Sequence, residues 1–361
     1  MTPRIIAARR TAVAPQGGAF RHLRIEDLAA PVVRAVLADA GLSPGDVDEM
    51  VCANALGAGG NPGRRVALAA GLPERVAGLT LDRQCAGGLD AIALAAALVA
   101  AGQARVVVAG GVESHSRRPL RAMPDPEGGP PLFYGQAPFT PWPDRDPGMT
   151  EAAAALALSQ GIGRAEADAY AVESHRRALG ADFRAEIVPL AGLGRDAFTR
   201  ALTPALAARA KGLAGPVSVA NTAVAADAAA FVVVAGEGVA RGSRGLRISG
   251  SSTLGADPVQ PGLAPIPAIA AALARAGLTP ADLAQAEVME AYAVQAIACI
   301  RGAGLAPGIV NPKGGGLARG HPIGASGAIL AVRLFHDLSA GHGLAAIASA
   351  GGIGAAMVLA A

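Results

Sequence analysis

The sequence predicts an α/β protein made of two similar halves, with a loop-rich subdomain inserted between them. Three observations carry this reading. A helix–turn–strand pattern occurs twice, once near each end of the chain. Apolar residues make up 52% of the chain but aromatic ones only 3%, so the core is built from Ala, Val, Leu and Ile, which suits closely packed α/β layers. A stretch rich in Pro, Arg, Asp and Gly lies between the two copies.

The first copy runs from Val33 to Val51: an amphipathic helix, Ala-Gly-Leu, a Ser-Pro turn, an acidic residue and a strand. The second runs from Ile269 to Val288 with Thr-Pro at the turn, so that Leu42 corresponds to Leu278. The long apolar helix that opens near Ala91-Ile92 recurs near Ala328-Ile329. An Ala-Gly turn follows each helix, at 101–102 and 340–341, and then a strand, Val106–Gly111 or Ala346–Gly352. A duplicated unit of this kind predicts two α/β halves, 1–112 with about 216–240, and 241–361. Residues 113–215 are expected to form the inserted loop or lid subdomain, irregular over 117–149 and helical over 151–182.

Bulk properties exclude several classes. The net charge is +3 and the basic residues are scattered, so no nucleic-acid partner is expected. Arginines 4, 9 and 10 are not followed by an apolar run, so no secretory signal is expected. The most apolar segment, Leu89–Gly102, is too short to cross a bilayer. The three cysteines, Cys52, Cys85 and Cys299, form neither a disulfide framework nor a metal-ligand spacing. These features predict a soluble, cytoplasmic protein with no membrane insertion and no metal.

Two helix starts carry the chemistry. Gln84-Cys85-Ala86-Gly87-Gly88-Leu89 offers a cysteine, and residues 311–328 place His321 between a glycine-rich turn and Pro322. At the spacing of the repeat Cys85 corresponds to position 322, so two halves packed about a pseudo-twofold axis would turn both starts into one cleft. Thiolate is the nucleophilic form of cysteine, the N–H groups at a helix start favour it, and a histidine can take its proton. Cys52 and Cys299 are read as small buried hydrophobes. His22, His115, His175, His336 and His342 are read as structural or surface histidines.

These residues resemble the thiolase family, coenzyme A-dependent acyltransferases that make or break 3-ketoacyl thioesters. The similarity runs nearly end to end: Arg10-Thr11, Asp82–Leu89, Ala109–Ser114, Gly262-Leu-Ala-Pro-Ile-Pro-Ala, Glu290–Ala293 and Gly320–Gly327. It implies a five-layered α/β/α/β/α core. It also implies Cys85 as acyl carrier, His321 as its activator, and backbone N–H groups of Cys85 and Ala350 as an oxyanion hole. Acyl-CoA and coenzyme A would be substrates, with no permanently bound cofactor. Acetyl-CoA acetyltransferase or 3-ketoacyl-CoA thiolase chemistry in lipid metabolism would follow, in a homodimer or homotetramer.

Two positions depart from the family pattern. Ala348 stands where the family has a second cysteine, the base that removes an α-proton. Met289 stands where the family has an asparagine that holds an oxyanion-hole water. Ser349, beside Ala348, is expected to point to the other face of its strand. Both departures fall on the carbon–carbon step. The alternatives are an acyltransferase or thioester hydrolase without carbon–carbon chemistry, or a non-catalytic thiolase-like subunit that works with a small partner protein.

Overall fold

The structure, a computed structural model, describes residues 2–57, 59–239 and 244–361. The expected boundary between the halves, at 240–241, lies outside the described residues.

In the first half, β1 (Pro3–Thr11) leads to α1 (Ile25–Asp39), β2 (Glu49–Ala53), α2 (Pro62–Ala70), β3 (Leu79–Leu81), α3 (Gly87–Ala100) and β4 (Val106–Ser114), and β5 (Ala226–Gly236) completes the sheet. The spatial order is β3-β2-β4-β5-β1. The β2–β3 and β2–β4 pairings are parallel, and β4–β5 and β5–β1 are antiparallel. All nine residues of β4 and all eleven of β5 are buried, the pattern of strands with helices on both faces.

Between β4 and β5 lie α4 (Met149–Ser159) and α5 (Arg164–Leu179). The region expected to be helical over 151–182 holds these two helices. Gly161, with φ 64°, ends the first because this left-handed conformation leaves the helical path at little cost to glycine.

The second half repeats the first with β6 (Leu246–Gly255), α6 (Pro265–Ala276), β7 (Leu283–Val288), α7 (Ala293–Gly302), α8 (Ile323–Asp337), β8 (His342–Ser349) and β9 (Ile353–Ala360). Its order, β7-β8-β9-β6, matches β2-β4-β5-β1. The turns before β2 and β7 match in detail. Ser43 with Asp46, and Thr279 with Asp282, close the same reciprocal cap around a short 3-10 turn. The two sheets join where β1 and β6 pair at Arg4–Arg247 and Ile5–Leu246.

Five layers result. Helices α1 and α2 cover the outer face of the first sheet, α6 and α7 that of the second, and α3 and α8 lie between the sheets. Residues Gly324–Phe335 of α8 are all buried, as expected of a central helix apolar all round. Arg333 of α8 is buried with them and pairs with Glu186 at 3.1 Å, which also pairs with Arg10 of β1 at 2.7 Å. Helices α3 and α8 cross closely because glycines face each other. A Cβ on Gly88 would lie 2.6 Å from the Ala328 nitrogen, and one on Gly327 2.5 Å from the Leu89 nitrogen. This contact brings the two helix starts together.

Candidate active site

Cys85 lies on a 3-10 turn, Gln84–Ala86, that runs into α3. Gln84 has φ 46°, a left-handed conformation that non-glycine residues adopt at a cost and that clusters at functional sites. Asp82 holds it there, accepting the Gln84 backbone N–H at 2.8 Å.

His321 sits between Gly320, whose φ is 112°, and Pro322, the N-cap of α8. Its backbone N–H donates to the Val224 carbonyl at 2.8 Å. Its Nε2 is 3.1 Å from the Cys85 Sγ, and its Nδ1 is 2.6 Å from the Ser326 Oγ. The Ser326 hydroxyl donates to the Pro322 carbonyl at 2.9 Å. With that single proton committed, Ser326 accepts from Nδ1–H, and the lone pair of Nε2 faces the sulfur.

The site rests uncharged. Burial pushes the Cys85 thiol up to about 12, although the N–H groups of Cys85 and Ala350 and the Ser349 hydroxyl favour its charged form. Burial pushes His321 down to about 3, with the charges of His115 and Arg319 acting in the same direction. The helix start therefore does not hold a standing thiolate: desolvation outweighs it.

The sulfur opens onto a cavity of about 300 Å³ lined by Cys85, His115, His321, Ala348, Ser349, Ala350 and Tyr292, among others. Ala348 contributes only a methyl group. Ser349 does not turn away as expected. Its hydroxyl donates to the Arg83 carbonyl at 3.0 Å and reaches the Cys85 sulfur, because the turn that carries Cys85 packs against this end of β8. The Ala350 N–H points at the same sulfur, ahead of Gly351 and Gly352, both at φ 75°. Met289 is 1% exposed, packed in the central core and off the cavity wall. A Cβ on Gly316 would lie 2.6 Å from the Met289 methyl.

Sequence reasoning missed three residues here. Glu113, at the end of β4, accepts from the Asn54 side chain at 2.8 Å and from the N–H groups of Ala55, Leu56 and Gly324 at 3.0, 3.2 and 3.0 Å. It thus fixes the first turn of α8 against the end of β2, and burial pushes its carboxyl up to about 7. Ser326 sets the His321 tautomer. His115, read as structural or surface, is 8% exposed on the cavity wall. The repeat held the signal for Glu113 and His115: β4 corresponds to β8, whose end supplies Ala348 to Ala350.

Among the described residues, no group of three or more His, Cys, Asp and Glu side chains could hold a metal ion. No helix there is long and apolar enough to cross a membrane.

Comparison with known proteins shows the family. The profile of the thiolase N-terminal domain matches residues 4–238, and that of the thiolase C-terminal domain matches 245–361. YhfS of Bacillus subtilis, provisionally named an acetyl-CoA C-acetyltransferase, is 38% identical over 98% of each chain. VraB of Staphylococcus haemolyticus, provisionally named likewise, is 36% identical over 98% of this chain and 97% of its own. The crystal structure of the Bacillus anthracis acetyl-CoA acetyltransferase superposes with a TM-score of 0.93 at 33% identity, covering 99% of this chain and 98% of that one. Human mitochondrial 3-ketoacyl-CoA thiolase, solved in complex with CoA, gives 0.92 at 29% identity, covering 100% and 98%.

Proposed function

The chain belongs to the thiolase family and is a thiolase-type acyltransferase, and from that premise we propose that Cys85 carries the acyl group and His321 activates it. One observation carries the proposal: Nε2 of His321, its lone pair set by Ser326, is 3.1 Å from the Cys85 sulfur. As acyl-CoA enters, Nε2 takes the thiol proton while the sulfur attacks the thioester carbonyl carbon. The tetrahedral oxyanion is placed near the N–H groups of Cys85 and Ala350, donors of the kind worth about 10²–10³ in rate. The C–S bond to coenzyme A breaks, and its thiolate takes the proton back from Nε2. The products are the Cys85 thioester and free coenzyme A, and His321 is neutral again.

The second half-reaction has two readings. Ala348 offers no base and Met289 is buried away from the cavity, which favours acyl transfer or thioester hydrolysis without carbon–carbon chemistry. The cavity at Cys85 and the family favour the acetyl-CoA acetyltransferase or 3-ketoacyl-CoA thiolase reaction. On the resemblance alone we extend the reading to a cytoplasmic homodimer or homotetramer acting in lipid metabolism.

Intact-mass measurement after incubation with acyl-CoAs of several chain lengths tests the proposal. One acyl group is expected on Cys85, and none on a Cys85→Ala variant. Wild-type protein left unmodified across the whole panel would overturn it.

A further inference from the structure

Two histidines face the cavity, and the acylation step uses only one. His321 is committed on both sides, to Ser326 and to Cys85. His115 is not committed at all. It is the first residue beyond β4 and is more than nine-tenths buried on the cavity wall. Its Nδ1 is buried with no partner, and its Nε2 has none among the described residues. Buried polar side chains are normally hydrogen-bonded, so an imidazole free at both nitrogens is an unused group at a site.

The backbone around His115 is held firmly. The N–H groups of His115 and Ser116 both donate to the buried Asp227 carboxylate. The ring lies close enough to His321 to disfavour a charge there. Burial and Arg118 push His115 down to about 4, which leaves a neutral imidazole at neutral pH. Ala348, on the same wall, offers nothing that can take a proton. Ser349, its neighbour, has its hydroxyl on the Arg83 carbonyl.

The geometry points to His115 as the second proton-transfer group of this site, a catalytic base acting on the acyl-CoA that meets the Cys85 thioester. This rests on the acyl-enzyme reading above. In the condensing direction, a ring nitrogen of His115 takes a proton from C2 of the second acyl-CoA. The C–H electron pair becomes the enolate and attacks the Cys85 thioester carbonyl, forming a carbon–carbon bond. The C–S bond to Cys85 then breaks, and the departing thiolate needs one proton. His115 holds one in excess, so its return restores the neutral thiol and both neutral imidazoles.

The test is deuterium uptake at C2 of acetyl-CoA and of hexanoyl-CoA in D₂O, read by mass spectrometry beside Cys85 acylation on the same protein. Wild type is expected to exchange C2 hydrogens. His115→Gln should lower that rate by about 10²-fold or more, the usual contribution of a general base, while Cys85 acylation falls far less. Adding Ala348→Cys to His115→Gln places a new base on the same wall and should restore exchange. If the Gln variant does not fold, His115→Met, apolar and of similar length, carries the same expectation. Exchange in a folded His115 variant at the wild-type rate would overturn the inference, as would no exchange by wild type with either acyl-CoA. Exchange acts on bound acyl-CoA before any transfer, so absent acylation would sink the Cys85 reading while the exchange result still judged His115.

Discussion

Ser326→Ala isolates the most specific feature of the site. The substitution removes the atom that accepts the Nδ1–H of His321 at 2.6 Å and leaves the sulfur and the rest of the cavity in place. A buried N–H without a partner costs about 1–3 kcal/mol. That same energy holds the proton on Nδ1, because the other tautomer puts it on Nε2, facing the sulfur with no lone pair to offer. Converted to a population, 1–3 kcal/mol is about 5- to 150-fold, and single-turnover acylation of Cys85 should slow by that factor. Rapid quenching followed by intact-mass measurement reads the rate, and the final extent of acylation should match wild type. Urea unfolding of the same sample confirms that the variant is folded. A folded Ser326→Ala protein that acylates within about twofold of wild type would refute the tautomer argument, since every other group in it is unchanged.

Acylation should change by less than about twofold between pH 7 and pH 5. His321 stays neutral until the pH nears about 3, whereas an ordinary histidine, at about 6.5, would lose about 25-fold of its neutral form over that range. Of the groups facing the pair, His115 also stays mostly neutral at pH 5. Arg319 keeps its charge, and protonation of Glu113 removes a charge that opposes the thiolate. A steep fall in rate below pH 6.5, with the fold intact, would contradict the resting state described. Gly327→Ala places a Cβ 2.5 Å from the Leu89 nitrogen. It should lower the urea-unfolding free energy by about 1–3 kcal/mol and slow acylation by separating α3 from α8, and an unchanged urea midpoint would show the crossing to be less tight.

The two-half architecture was legible because its signals are local. Ser43-Pro44 with Asp46 and Thr279-Pro280 with Asp282 are spelled out within four residues, and the helix starts of Cys85 and His321 follow from the same repeat. Their meeting at 3.1 Å required only that the halves pack symmetrically. What escaped the sequence depends on contacts between distant segments. Glu113 reaches Gly324 in the other half, and Asp227 fixes the backbone at His115 and Ser116. The expectation for Ser349 failed because the turn carrying Cys85, from the other half, packs against the end of β8 where Ser349 lies. That the thiol rests protonated could not be read from a helix start alone, because burial acts on the whole pocket.

The uncharged resting pair has a consequence for durability. Peroxide attacks thiolates, and a cysteine that is ionised at all times is exposed at all times to conversion into sulfenic acid and beyond. Here the sulfur is held as a thiol whose proton leaves near 12, and it becomes an anion only while His321 takes that proton during attack. Between turnovers Cys85 offers oxidants almost none of the form they consume, so the slow, gated ionisation that delays the first bond also preserves the nucleophile while it waits for substrate.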